Sequence, residues 1–143
     1  MIELRDAPFE PWQLLAAHGR AGGHAGCGGT AVFVGTMRDF NEGDEVTAMH
    51  LEHYPGMTER HLQQICDEAH ARWPVLDVLI VHRYGDILPG EPIVLVAAWA
   101  AHRGPAFEAC RHLIESLKSR APFWKRETLD AGQPRWVARN TPA

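Results

Sequence analysis

The sequence predicts a single α+β domain over residues 1–143, a mixed sheet with two main helices packed on it. Three observations carry that reading. Runs rich in β-branched and apolar residues, "TAVFVGTM" (30–37), "VLDVLIVHRYG" (75–85) and "IVLVAAWAA" (93–101), have the character of strands. Two segments, 58–73 and 105–118, repeat apolar residues at helical spacing. These elements are interleaved in mixed order rather than as a regular βα alternation, in a chain of 143 residues and 45% hydrophobic content, the size of one ordinary core.

In chain order, "IELRD" is a short strand and "EPWQLLAAH" a helix with Trp12, Leu15 and Ala16 at helical spacing. The tract "GRAGGHAGCGG" (19–29) reads as a mobile connection, since it lacks both the GKS or GKT ending of a phosphate loop and an ordered GxGxxG context. "TAVFVGTM" is apolar on nearly every position, which suits a strand buried on both faces. "RDFNEGDEV" is a polar loop. "TAMHLEHY" alternates, with Met49, Leu51 and His53 on one face and His50, Glu52 and Tyr54 on the other. "YPGM" turns the chain into a helix from Thr58 to Trp73 with Leu62, Ile65, Ala69 and Trp73 on its apolar side, stopped by Pro74. After the strand from residue 75, "GDILPGEP" is a turn. Pro105 suits the first residue of a helix whose stripe is Phe107, Cys110, Leu113, Ile114 and Leu117. Pro122 prevents its continuation, and "PRWVAR" is a last short strand.

Composition excludes several classes. A formal net charge of −4 argues against non-specific nucleic-acid or membrane-surface binding, which needs a basic face. No apolar run approaches the roughly 18 residues of a membrane span, and the N-terminus has no signal-peptide core. The three cysteines, Cys27, Cys66 and Cys110, are far apart and form no CxxC, so they read as reduced structural thiols in a cytoplasmic protein. Nine histidines raise the question of a metal, but His50 and His53 point to opposite faces of a strand and no HExxH exists. The expectation is no metal and no cofactor.

Against this acidic background, "SLKSRAPFWKRE" (116–127) places Lys118 and Lys125 seven residues apart across an Ala-Pro break. Arg38 follows one apolar strand, and His102 and Arg103 follow another. Each has a bland explanation: Lys118 complements a helix C-terminus for about 0.3–1 kcal/mol, and Arg38 beside Asp39 is a surface pair worth about 0–1 kcal/mol. Together, guanidinium, imidazole and ammonium groups at element ends point to an anion pocket. Serine-based catalysis has little support, because there is no GxSxG and Ser116 and Ser119 are the only serines.

Five segments in order, "GGTAVFVGTMRD", "LEHYPGM", "HRYGDILPGE", "AAHRGPAFEAC" and "LKSRAPFWKRE", resemble the large, catalytic subunit of molybdopterin synthase over residues 28–127. The resemblance implies an α/β-hammerhead fold. It also implies a sulfurtransferase of molybdenum cofactor biosynthesis that converts cyclic pyranopterin monophosphate to molybdopterin. Sulfur would arrive as a thiocarboxylate on the C-terminal Gly-Gly of a small ubiquitin-like partner, and the large subunit would form a homodimer within a heterotetramer. Carried over by motif, Lys118 and Lys125 are the catalytic lysines. Arg38, His102 and Arg103 bind the substrate's anionic part, Arg126 and Glu127 shape the pocket, and Arg139 is a weaker candidate, supplied across the dimer. The glycine tract before Gly29 departs from the pattern and receives no role. A phosphate-ester hydrolase and a non-catalytic pterin- or nucleotide-binding module remain alternatives for the same cations. The sequence leaves open which lysine is acid and which base.

Overall fold

The structure, a computed structural model, describes residues 1–130 and 132–137. Its elements are β1 (Ile2–Arg5), α1 (Pro11–Arg20), β2 (Gly29–Thr36), β3 (Phe40–Asn41), β4 (Asp44–His53), α2 (Met57–Arg72), β5 (Val75–Arg83), β6 (Gly85–Ile87), β7 (Pro92–Ala100), α3 (Arg103–Arg120), β8 (Phe123–Leu129) and β9 (Pro134–Trp136). They form the α+β architecture the sequence predicts, but with two sheets rather than one, and the short helix read at "EPWQLLAAH" is α1.

The first sheet has the order β1-β5-β7-β2, with β1 parallel to β5 and the other pairs antiparallel. β7 runs through its middle and is buried on both faces, as its unbroken apolar sequence requires. Val94, Val96, Ala98 and Ala100 face α2 and α3, where Leu62, Ile65, Ala69, Ala109 and Leu113 complete the main core. The alternate residues Leu95, Ala97 and Trp99 face α1 and meet Phe9, Leu14 and Leu15. α1 thus packs Leu14 and Leu15 on the sheet, both half-buried; of the three residues read from spacing Leu15 faces the core, while Trp12 and Ala16 are exposed.

The second sheet is built on β4, which pairs with β3, β6 and β8, and β8 pairs in turn with β9. Met49, Leu51, Val46, Ile87 and Met37 make its own small core. The "polar loop" of the sequence reading is partly a hairpin. Glu42 and Gly43 both have positive φ (52° and 82°), the two-residue turn whose twist matches paired strands. Part of the predicted "GDILPGEP" turn is likewise strand β6.

Three further local expectations change. β2 is an edge strand, not one buried on both faces; Phe33 is 40% exposed, on the wall of a groove between β2 and α3. α3 begins at Arg103, so Pro105 is its third residue, still within the first turn, where a missing N–H breaks no helical bond. Phe107 leaves the predicted stripe and is 65% exposed; Ala106 and Ala109 take the core-facing positions.

Candidate active site

The Ala-Pro break in "SLKSRAPFWKRE" determines the geometry. Leu113 and Leu117 anchor the end of α3 in the core, which sets Lys118 at the helix edge in its last turn. Ala121, preceding a proline, is forced to extended backbone (φ −72°, ψ 138°), and the chain turns directly into β8. β8 pairs antiparallel with β4, Lys125 opposite Leu51 and Glu127 opposite Met49. Strand alternation then points Phe123, Lys125 and Glu127 inward, back toward the end of α3. The two lysines meet, side chain to side chain, in hydrogen-bond contact.

Arg38, at the end of β2, Lys118, Lys125, Glu127, Asn41 and Met49 line a cavity of about 80 Å³. A second cavity of about 70 Å³ lies against the same lysines and is walled by His82, Leu51 and Phe123. A larger groove, about 630 Å³, runs between β2 and α3 past Phe33, Phe107 and Ile114 and reaches Arg38 and Lys118.

Burial is the main cause that pushes the Lys125 ammonium down, to about 8, with the neighbouring Lys118 charge and then Arg38 acting in the same direction and Glu127 opposing. Lys118 is also lowered, by burial first, but its hydrogen bond to Lys125 acts the other way and favours its charged form. Both ammonium groups are thus destabilised by burial and by nearby cations, so the pair gives up a proton more readily than a free lysine, a property the spacing of the two residues could not reveal.

Glu127 is buried and held from two sides: Asn41 Nδ2 donates to both its oxygens at 3.2 Å, and Arg135 donates at 3.0 Å. Arg135 also bonds Asp44 at 2.8 Å, which ties β9 to the β3–β4 hairpin. His82 stacks on Phe123 (centroids 3.9 Å apart, 14° between planes). Its Nδ1 lies 2.8 Å from the Arg83 carbonyl, which only accepts, so Nδ1 carries the proton and Nε2 a lone pair. Burial, with Lys118 and Lys125 adding to it, pushes its pKa down to about 3 and keeps the ring neutral.

The structure thus brings Arg38, Lys118, Lys125 and Glu127 together. It does not bring His102 and Arg103 to them within one chain. Arg103 opens α3 and His102 caps it, fifteen and sixteen residues before Lys118, about 22 Å or more away along the helix. Arg126 is not among the residues that line the two cavities at the lysines. By alternation it faces out of β8, over the Trp136 ring at 5.9 Å. Arg139 lies outside the described residues. Sequence reasoning missed His82, Asn41 and Arg135. A histidine ending the apolar run "VLIVH" (78–82) was the available signal for the first; the other two depend on tertiary pairing.

The arrangement combines two lysines whose ammonium forms are destabilised by burial and a guanidinium in a confined cavity, with a groove leading to it. It can take up a proton and stabilise an anion at one place. Residues 4–120 match the model of the MoaE protein family. The chain belongs to that family. Among similar MoaE-family sequences is the "Molybdopterin synthase catalytic subunit" of Pseudomonas aeruginosa, 51% identical over 137 residues, covering 95% of this chain and 89% of the relative. The solved structure of the "Molybdopterin biosynthesis MoaE protein" from Burkholderia ambifaria superposes with a TM-score of 0.81 at 47% identity, over 99% of this chain and 92% of that one. The crystal structure of "Molybdopterin Synthase" from Staphylococcus aureus gives a TM-score of 0.84 at 29% identity, with 96% of each chain covered. The α+β fold of this MoaE-family chain is thus shared with relatives of moderate and of distant sequence.

Proposed function

We propose that this chain is the catalytic subunit of a molybdopterin synthase. It acts as a sulfurtransferase that converts cyclic pyranopterin monophosphate to molybdopterin, with sulfur from the C-terminal thiocarboxylate of a small ubiquitin-like partner. The observation that carries this reading is the half-buried Lys118–Lys125 pair, both lysines lowered chiefly by burial, beside Arg38 in a MoaE-family chain. Sulfur addition to the pterin side chain requires proton movement and the opening of a cyclic phosphate. Lys125, in the fraction that is neutral, is the proton acceptor. The Lys118 ammonium and Arg38 meet the phosphate and the thiocarboxylate, where charge-assisted bonds are strongest. In each transfer the thiocarboxylate sulfur bonds to a side-chain carbon of the pterin as an oxygen substituent leaves, and water then cleaves the acyl–sulfur bond so that the partner's terminus becomes a carboxylate; two transfers make the dithiolene.

The groove between β2 and α3 supports entry of an extended tail, since it ends at Lys118 and a Gly-Gly terminus has no side chains to obstruct it. The position of His102 and Arg103 at the far end of α3 supports a homodimer in which a second copy supplies them. Glu127 holds the floor of the pocket through Asn41 and Arg135.

The test is incubation of the chain with cyclic pyranopterin monophosphate and a thiocarboxylated small partner. The dithiolene product is expected only with both present. Phosphate-ester hydrolysis without the partner, and no dithiolene with it, would overturn the proposal.

A further inference from the structure

On the face of the first sheet opposite α2 and α3, three side chains far apart in sequence converge. His18 is in the last turn of α1, His24 is in the glycine tract, and Asp77 is on β5. His18 Nε2 lies 2.6 Å and His24 Nε2 2.9 Å from the same oxygen, Asp77 Oδ2. The other oxygen, Oδ1, accepts the Val78 N–H at 2.8 Å, which aims Oδ2 at the imidazoles. His24 stacks flat on Trp99 (centroids 4.7 Å, 9°), and His18 packs against the same indole at 5.0 Å. His24 Nδ1 is buried and has no partner, so this ring's polar contact runs through Nε2 alone.

We propose that His18, His24 and Asp77 form a divalent-cation site, separate from the lysine pocket, that takes Zn²⁺ or a cation of similar preference. Two imidazole nitrogens and one carboxylate oxygen, all within 4.8 Å of one another, are a ligand set that zinc accepts, with a fourth position left for water. The Asp77 side chain is 29% exposed, so the site has an approach from solvent, while the histidines at 16% and 10% are held by their packing. Tetrahedral ligands at metal bonds of about 2.0–2.1 Å lie about 3.3 Å apart. Binding therefore widens the present hydrogen-bond separations by about half an ångström each, a small rotation of the two rings. The Val78 N–H contact is the kind of outer bond that orients a ligating carboxylate. The cation ties the glycine tract, through His24, to β5 and α1. The expectation of no metal rested on the absence of a local motif. Here the ligands are 59 and 53 residues apart and only the fold assembles them.

The alternative is that the three groups form a hydrogen-bonded clasp with no affinity for a cation. Titration calorimetry of the purified full chain with Zn²⁺ separates the two, with His18→Gln and His24→Gln as variants and circular dichroism to check their fold. His50→Gln is the control, since His50 has its own carboxylate neighbours Glu52 and Asp86. Expected is one Zn²⁺ per wild-type or His50→Gln chain and at least about tenfold weaker binding in the other two variants. Co²⁺ substitution should show visible d–d absorption without thiolate charge-transfer bands. No binding by the wild type, binding undiminished in both His18→Gln and His24→Gln, or a thiolate signature would each overturn the proposal.

Discussion

The lysine pair illustrates how environment changes what a side chain can do. An unperturbed lysine is neutral about once in 2,500 at pH 7, whereas at a pKa of about 8 Lys125 is neutral about once in ten. Raising the pH deprotonates Lys125 and so supplies more base. The rate of sulfur transfer at low substrate concentration is therefore expected to rise about tenfold per pH unit below about pH 8 and to level off above it. A flat profile between about pH 6 and 9 would contradict the role of Lys125 as base. Lys118→Ala is expected to lower product formation by about 10²-fold or more. Its stability should change by no more than about 1 kcal/mol, because the substitution removes only a helix-end charge that is itself partly desolvated. Parallel assays of sulfur transfer and urea unfolding check this; full activity, or a loss of several kcal/mol, would remove Lys118 from the chemistry.

At the scale of elements, one glycine illustrates how tightly β2 enters the sheet. A Cβ on Gly28 would stand 2.1 Å from the Ala101 carbonyl oxygen, which is backbone and cannot swing away. The Gly28 N–H bonds the Ala100 carbonyl at 2.9 Å, so the close approach is part of the β2–β7 pairing. Gly28→Ala is expected to destabilise the fold by about 1–3 kcal/mol. Gly19, inside α1 with nothing within 4 Å of its would-be Cβ, should respond in the opposite sense, gaining about 0.5–1 kcal/mol as Ala. Equal and small effects of the two in chemical denaturation would show that this approach relaxes without cost. The same edge strand leaves Phe33 and, across the groove, Phe107 exposed beside Lys118. That apolar wall is the element-level feature which suits an incoming tail.

For the whole molecule, the length of α3 separates the candidate residues into two groups. Arg38, Lys118 and Lys125 share one pocket; His102 and Arg103 sit a helix length away. A site that uses both groups takes one from each of two copies. Lys118→Ala and Arg103→Ala proteins, each inactive alone, should then complement when unfolded and refolded together. A mixed dimer would hold one doubly altered site and one intact site, so a random mixture should regain about a quarter of wild-type activity. No recovery, with mixed dimers demonstrated by differential tagging, would confine the site to a single chain.

The sequence by itself determined the α+β class, most element positions and Lys118, Lys125 and Arg38 as candidate site residues. Those follow from local causes: β-branched runs favour strands, apolar residues at helical spacing favour helices, and Pro74 and Pro122 stop them whatever the surroundings. Only the tertiary structure decided the rest, because it depends on which distant segments touch. An apolar strand reads the same at a sheet edge as at its centre, so the exposure of β2 was not legible. The outward turn of Arg126 required the register of β8 on β4. The neutral ring of His82, the Asn41–Glu127–Arg135 bonds and the meeting of His18, His24 and Asp77 come from residues brought together across the chain. Burial and neighbouring charge exist only once the chain is folded, and they alone lower both lysines, Lys125 to about 8.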